Sequence, residues 1–159
     1  MKLKKGDYFP NVNLYRLNDG SPEKLSSAKL FNKKKVILVG VPGAFTPTCT
    51  NEHLPGYIKH FDSFKLKGID EIFFIAVNDP FVMQKWGESV EQNNLNFIAD
   101  SDGEFMRSSG LMNDLSAAGL GKRLSRFSMF VDDGLIKEFF DENGPGLEKS
   151  KAEILLETI

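Results

Sequence analysis

The chain contains one cysteine, Cys49, in the segment 41–50, which reads VPGAFTPTCT. A lone cysteine is most often a small buried apolar residue. Here prolines and threonines crowd it, which indicates a rigid polar loop rather than a core segment. A thiolate in such a loop can act as a nucleophile. Cys49 is therefore the first candidate for covalent chemistry, and a structural thiol is the alternative.

The predicted elements around Cys49 place it in or just before the first turn of a helix. The apolar run 36–41 indicates a buried strand before it. After it, apolar residues recur at the spacing of an amphipathic helix. They are Leu54, Tyr57, Ile58, Phe61 and Phe64. The unpaired N–H groups and the positive dipole end of a first helical turn favour an anion such as a thiolate.

Two histidines on the same predicted helix raise the question of a metal site. On an ideal helix, Cys49, His53 and His60 fall on one side. The two histidines are nevertheless about 10 Å apart along the helix axis, which is too far for one ion. We therefore expect no metal. One interpretation of His53 is a positive charge beside the thiolate, and the other is a structural histidine on the helix surface.

Strand and helix signals along the chain predict an α/β domain. The apolar run 72–77 indicates a second buried strand, so strand, helix and strand form a right-handed βαβ unit. Pro55 predicts a kink or break within the helix, and Gly68 predicts its end. Asp79 is the predicted N-cap of a further helix that begins at Pro80.

The last third of the chain predicts an antiparallel hairpin and a terminal helix. Residues 127–131 and 135–140 flank a DDG turn. Ser150 and Glu153 have the spacing of a capping box for the last helix. A βαβ unit followed by a hairpin and a helix is the thioredoxin-like arrangement, here with an N-terminal extension. The predicted fold class is α/β, with a mixed central sheet sandwiched by helices in a single domain over residues 1–159.

The residues around the cysteine resemble a known family. Pro42, Thr46 and Cys49 reproduce the Pro-x-x-x-Thr-x-x-Cys motif of peroxiredoxins. The longer blocks PGAFTPTCT, VNDPFVM and RFSM resemble the atypical type II subfamily, which depends on glutaredoxin or glutathione. Matching segments run from about Gly6 to the end of the chain. The four-residue signature is weak by itself, whereas several blocks in the same order are specific.

The resemblance implies a thiol-dependent peroxidase and roles for four residues. Cys49 would attack a hydroperoxide and become a sulfenic acid. Thr46 would hydrogen-bond the peroxide and orient it. Pro42 would shield the sulfur from water, and Arg126 would stabilise the thiolate and the leaving oxygen. Arg123 is the alternative to Arg126. No metal or organic cofactor is implied.

The resemblance also implies partners. Relatives with a resolving cysteine have it near residues 73–74 or 148–149, and neither place holds a cysteine here. An external reductant is therefore implied: glutathione, with or without glutaredoxin, with thioredoxin as the alternative. A homodimer is implied as well, formed through the loops near the active site at residues 45–47, 79–82 and 115–120.

Composition and charge disfavour several other classes. The net charge is −2 and no basic stripe is present, so nucleic acid and anionic membranes are not expected partners. No apolar run approaches the roughly 18 residues of a membrane span. Residues 1–10 contain no apolar signal core. One cysteine allows no intramolecular disulfide, which fits a reducing compartment, and we expect the cytoplasm.

Two other functions stay open at this point. Oxidation of Cys49 could signal to a partner instead of clearing peroxide, and turnover with excess reductant would separate the two. A cysteine hydrolase or transferase would need a histidine base and an orienting Asp or Asn around the thiol. That reading is disfavoured because His53 and His60 both lie on the helix that follows the cysteine.

Overall fold

The two apolar runs predicted as buried strands are parallel neighbours at the centre of a mixed sheet. The computed structural model describes residues 2–90 and 94–159. The strands in these ranges are β1 (Asn13–Asn18), β2 (Ser21–Ser26), β3 (Lys35–Gly40), β4 (Glu71–Ala76), β5 (Asn96–Ala99), β6 (Met112–Asp114), β7 (Lys122–Leu124), β8 (Phe127–Asp132) and β9 (Leu135–Asp141). Their order across the main sheet is β2-β1-β5-β4-β3-β8-β9, and β6 pairs with β7 separately.

Helices cover both faces of the sheet. They are α1 (Ser27–Phe31), α2 (Leu54–Lys59), α3 (Phe61–Leu66), α4 (Pro80–Glu88), α5 (Glu104–Ser109) and α6 (Ala152–Thr158). In β3, Val36 and Leu38 pack in a core with α1 and α5, whereas Ile37 and Val39 pack in a second core with the other four helices. Burial on both faces explains why this strand shows no polar alternation. The predicted thioredoxin-like α/β architecture is confirmed.

The helical segment after Cys49 is interrupted differently from the prediction. Pro55 lies in the first turn of α2 and, because it lacks an N–H, cannot continue the helical hydrogen bonding of the preceding residues 49–53. The irregular backbone precedes it, because Cys49–His53 is a π-helix in which the Leu54 N–H donates to the Cys49 carbonyl. A second break falls at His60, between α2 and α3. No helix within the described ranges is long and apolar enough to cross a membrane.

The two predicted helix caps have different outcomes. The Asp79 carboxylate accepts a backbone N–H of α4 at 2.9 Å, so this N-cap is confirmed. The predicted capping box at α6 is wrong, because the N-cap is Lys151 and has no side-chain bond. The Ser150 hydroxyl donates instead to the Glu142 carboxylate at 2.7 Å. A charge-assisted bond of this kind is stronger than the neutral cap bond that it replaces.

Candidate active site

Cys49 lies where the central strand leads into the helices on one face of the sheet. After β3 ends at Gly40, a loop follows, and helical backbone begins at Pro47. Gly40 is required at the strand end because a Cβ there would lie 2.0 Å from the Phe127 ring. The Cys49 side chain is fully buried in the core below the loop. The thiol therefore lies in the first helical turn, as predicted, and it is shielded from bulk water.

Arg126 contacts the sulfur directly. Its Nη2 donates to Cys49 Sγ at 3.2 Å, and the residue is only 7% exposed. Across residues 2–90 and 94–159, no carboxylate forms an ion pair with this guanidinium. A buried charge without a counterion is costly. A thiolate at Sγ is the anion that would offset this cost.

Strand pairing is what brings Arg126 to the cysteine. Arg126 directly precedes β8, and the first residue of β8, Phe127, is opposite Gly40 at the end of β3. The Arg126 carbonyl accepts from the Glu142 N–H at 3.0 Å, which continues the pairing of β8 with β9 past the strand ends. The backbone at Arg126 is thus held from both sides. Its side chain points to the helix that begins near Cys49.

His53 forms the next contact of the guanidinium. Its Nδ1 lies 3.0 Å from Arg126 Nη1, and its Nε2 lies 3.0 Å from the Ser150 carbonyl oxygen. The ring is 1% exposed and lies at an angle to the rings of Tyr57 and Phe74. Burial, together with the charge of Arg126, lowers the pKa of His53 from 6.5 to about 4. Both interpretations from sequence are therefore wrong: His53 is neutral at pH 7, and it is buried.

The Ser150 carbonyl belongs to a turn that one carboxylate organises. It also accepts from the Tyr57 hydroxyl at 2.8 Å. The Ser150 N–H and hydroxyl both donate to Glu142, and the Glu148 N–H does so as well. Partial burial alone would raise the pKa of Glu142, but the hydrogen bonds from Ser150 and its neighbours lower it. This turn connects the end of β9 with the start of α6.

The loop on the other side of the cysteine is held mainly by backbone contacts. The Thr46 hydroxyl donates to the Gly43 carbonyl at 2.8 Å. Arg123 Nη1 donates to the Pro42 carbonyl at 3.0 Å, and the Ala44 N–H donates to Asn78 Oδ1 at 2.9 Å. A side chain on Gly43 would collide with Arg123, since a Cβ would lie 2.6 Å from Nη1. Glycine at position 43 therefore leaves room for the Arg123 guanidinium to lie against the loop.

The structure brings the predicted site residues to one place, but in two groups. Cys49 and Arg126 are in direct contact, whereas Thr46 and Pro42 belong to the loop that leads into the cysteine helix. Arg123, the alternative arginine, holds the Pro42 carbonyl through Nη1. Within the described ranges, no group of His, Cys, Asp and Glu side chains is arranged to hold a metal ion.

Three further contacts of the site were not predicted from the sequence. They involve Asn78, Glu142 and Ser150. Asn78 lies inside the block VNDPFVM, and its position in a segment that matches the family could have indicated that it belongs to the site. Glu142 and Ser150 had no such signal, because their contact depends on how the turn after β9 folds back.

Known proteins match this chain over nearly its whole length. The family described as Redoxin matches residues 4–156. Peroxiredoxin-2C from Oryza sativa subsp. japonica is 44% identical over 156 residues, which cover 97% of this chain and 96% of that protein. Peroxiredoxin-2D from Arabidopsis thaliana is 41% identical over 157 residues, with 97% and 96% covered.

Solved structures match the fold equally well. The structure of reduced Prx3 in complex with hydrogen peroxide from Vibrio vulnificus superposes with a TM-score of 0.93 at 39% identity, and the match covers 98% of each chain. The antioxidant protein of Plasmodium falciparum, described as a 1-Cys peroxiredoxin, superposes with a TM-score of 0.91 at 29% identity. That match covers 98% of this chain and 97% of the other.

Proposed function

The chain belongs to the redoxin family and is a peroxiredoxin, a thiol-dependent peroxidase, and we propose that Cys49 is the residue that attacks the peroxide. The observation that carries this assignment is the buried guanidinium of Arg126 on Cys49 Sγ, without an ion-pair partner among the described carboxylates. Such a cation favours the thiolate over the thiol. A thiolate is the nucleophilic form of cysteine.

In the proposed first step, the Cys49 thiolate attacks the terminal oxygen of a hydroperoxide. A sulfur–oxygen bond forms, the oxygen–oxygen bond breaks, and the other oxygen leaves as an alkoxide or hydroxide that takes a proton from the medium. The sulfur is oxidised to a sulfenic acid and the peroxide is reduced to an alcohol or water. Arg126 stabilises the negative charge as it moves from sulfur to the leaving oxygen.

The loop side binds and orients the peroxide in this proposal. The Thr46 hydroxyl proton is engaged by the Gly43 carbonyl, so its lone pairs point to accept the O–H of a hydroperoxide. The N–H groups of Thr48 and Cys49, in the first helical turn, are free of intrahelical acceptors and offer donors to the peroxide oxygens. Pro42 offers no N–H of its own and limits access of water to the sulfur.

We propose an external thiol for the second half of the reaction. The chain has one cysteine, and phenylalanine, glutamate and lysine occupy the places where relatives have a resolving cysteine. Glutathione, with or without glutaredoxin, is the leading reductant, and thioredoxin is the alternative. The thiolate of the reductant attacks the Cys49 sulfur, the sulfur–oxygen bond breaks, and the oxygen leaves as hydroxide that takes a proton from the medium. The mixed disulfide that remains is then cleaved by a second thiol.

A homodimer in the cytoplasm completes the proposal. Two aromatic side chains near the active-site loop are half exposed: Phe45 at 53% and Phe81 at 52%. Phe45 also has a φ of +63°, which a bulky residue rarely adopts without a reason. A second copy that covers both rings would remove this apolar surface from water. Sedimentation should show a dimer at micromolar concentration, and monomer alone would contradict this part of the proposal.

Peroxide consumption with purified reductants tests the function. The wild type should turn over hydrogen peroxide and an alkyl hydroperoxide with glutathione plus glutaredoxin, and Cys49→Ser should not. A serine hydroxyl is scarcely ionised near pH 7, while the small change should leave the fold intact. Residual activity above a few per cent in Cys49→Ser would overturn the role of Cys49. Turnover with thioredoxin only would replace the reductant and leave the peroxidase assignment in place.

A further inference from the structure

An arginine that stabilises a thiolate has to be held in one orientation. A free arginine side chain has many rotamers, and fixing it costs conformational entropy. A carboxylate, which can accept two parallel hydrogen bonds from a guanidinium, is one strong way to supply the fixing contact. Here the second contact of the Arg126 guanidinium is a ring nitrogen, Nδ1 of His53, at 3.0 Å. The choice of an imidazole instead of a carboxylate needs an explanation.

The hydrogen bonds of His53 determine which of its nitrogens carries the proton. A guanidinium only donates, so Nδ1 must accept from Arg126 through its lone pair. A carbonyl oxygen only accepts, so Nε2 must carry the hydrogen and donate to Ser150. Both nitrogens are then satisfied in the neutral ring. A protonated ring would direct an N–H at the guanidinium and would place two cations in contact.

The far end of this contact is itself fixed. The Ser150 carbonyl accepts from Tyr57 as well as from His53. Ser150 is in turn held by the Glu142 carboxylate through both its N–H and its hydroxyl, each at 2.7 Å. The imidazole therefore connects a rigid backbone turn with the guanidinium. The contact does not depend on any exposed side chain.

We propose that His53 is a positioning residue of the peroxidase: its neutral imidazole, held by the Ser150 carbonyl, orients the Arg126 guanidinium toward Cys49 without neutralising it. A carboxylate at this place would also orient the arginine, but it would compete with the thiolate for the same positive charge. A neutral acceptor leaves the charge available to the sulfur. The inference rests on the proposed function of Cys49 and Arg126.

Two substitutions of His53 test its two hydrogen bonds separately, the one to Arg126 and the one to Ser150. In His53→Asn, the amide oxygen takes the place of Nδ1 and can accept from Arg126. In His53→Gln, the longer side chain places its amide near Nε2, so it can donate to Ser150 but offers nothing at the δ position. His60→Gln is the matched control, because His60 lies on the same helical segment and its ring hydrogen-bonds Glu153 near the surface.

Two readouts follow the orientation of the arginine. The first is the second-order rate with hydrogen peroxide, measured with saturating reductant. The second is the pH profile of Cys49 alkylation by iodoacetamide, which reports the thiolate fraction and needs no peroxide turnover. His53→Gln should lower the peroxide rate about tenfold and move the alkylation profile to higher pH. His53→Asn should stay within about threefold of wild type, and His60→Gln should match wild type.

Equal behaviour of the two His53 variants would overturn the inference, whether both are unchanged or both are equally impaired. The inference would also be overturned if the loss of peroxide rate among the variants followed their melting temperatures and not their alkylation profiles. That pattern would mark a purely structural residue. The alkylation profile keeps the two proposals distinguishable. If the wild type does not consume peroxide, the proposed function fails, while the order of the alkylation profiles still tests His53.

Discussion

The two sides of Cys49 are built in different ways. The arginine side, which comprises Arg126, His53, Ser150 and Glu142, is a chain of hydrogen bonds that joins segments far apart in sequence, and all of its residues except Glu142 are buried. The loop side, residues 42–46, is held by individual hydrogen bonds to backbone atoms and is partly exposed. Charge stabilisation requires exclusion of water, and peroxide entry requires an opening. The arginine side meets the first requirement, and the loop side meets the second.

The largest expected effect is on the arginine side. Arg126→Ala should lower the rate with peroxide about 10²-fold, which corresponds to about 3 kcal/mol, because one charged donor is lost from a buried site. The alkylation profile of Cys49 should move to higher pH. Arg126→Lys should recover part of both losses, since the charge remains but the planar fork does not. Unchanged rate and profile in Arg126→Ala would transfer the role to Arg123 or to the helix start.

The same side should make the protein sensitive to acid. The pKa of His53 is about 4 in the folded chain and about 6.5 when unfolded, so the unfolded state binds more protons between these values. Stability is therefore lost as the pH falls from 6.5 towards 4, and it is fully present above 6.5. Between pH 7 and pH 4, the wild type should lose about 3 kcal/mol more unfolding free energy than His53→Asn.

Denaturant titrations of both proteins at the two pH values measure this difference. Asp100 changes the stability in the opposite direction. Because burial raises its pKa to about 6, the folded chain binds its proton more readily than the unfolded chain, and acid favours the folded state. That contribution is present in both proteins and cancels in the comparison. Equal losses of stability in wild type and His53→Asn would mean that the ring already titrates normally in the folded chain.

The loop side should show smaller and purely kinetic effects. Thr46→Val keeps the shape but removes the hydroxyl, which donates to the Gly43 carbonyl and in our proposal accepts from the peroxide, and it should lower the rate about tenfold. Thr46→Ser keeps the hydroxyl and should stay within about threefold of wild type. The alkylation profile should be the same in all three proteins. A shifted profile in Thr46→Val would mean that the loop also takes part in stabilising the thiolate.

The smallest effect is expected at Arg123, which holds the loop through the Pro42 carbonyl but does not touch the sulfur. Arg123→Ala should lower the peroxide rate about threefold, the equivalent of one modest hydrogen bond. Arg107→Ala is the control, since Arg107 donates to the exposed carbonyl of Asp102, five residues before it in the chain. A loss as large as that of Arg126→Ala would remove the distinction between the two sides.

Local sequence patterns predicted the central strands, one hairpin and the active-site loop. The apolar runs predicted the two central strands, and the DDG turn predicted the hairpin of β8 and β9. The motif with Pro42, Thr46 and Cys49 indicated the loop, because these residues are close in sequence. The β1–β2 hairpin and the β6–β7 ribbon were not predicted. Their strands are short or polar and show little of the alternation that marks a half-buried strand.

The arginine side shows what local patterns cannot supply. Whether His53 is charged depends on its burial and on a guanidinium 73 residues away, and neither follows from helical spacing. The false capping box at Ser150 has a similar cause. The spacing to Glu153 was correct, but the Glu142 carboxylate, which returns from the end of β9, engages the hydroxyl instead. Competition between local and tertiary hydrogen bonds is decided by the fold.

The central claim is that Cys49 alone carries the oxidising equivalent until an external thiol arrives. Whole-protein mass spectrometry after one equivalent of hydrogen peroxide tests it directly. The wild type should gain one oxygen atom, and glutathione should convert that species to a mixed disulfide, whereas Cys49→Ser should gain nothing. With excess peroxide and no thiol, a second oxygen should be added. A covalent dimer linked through Cys49, or an equal oxygen gain in Cys49→Ser, would contradict the account.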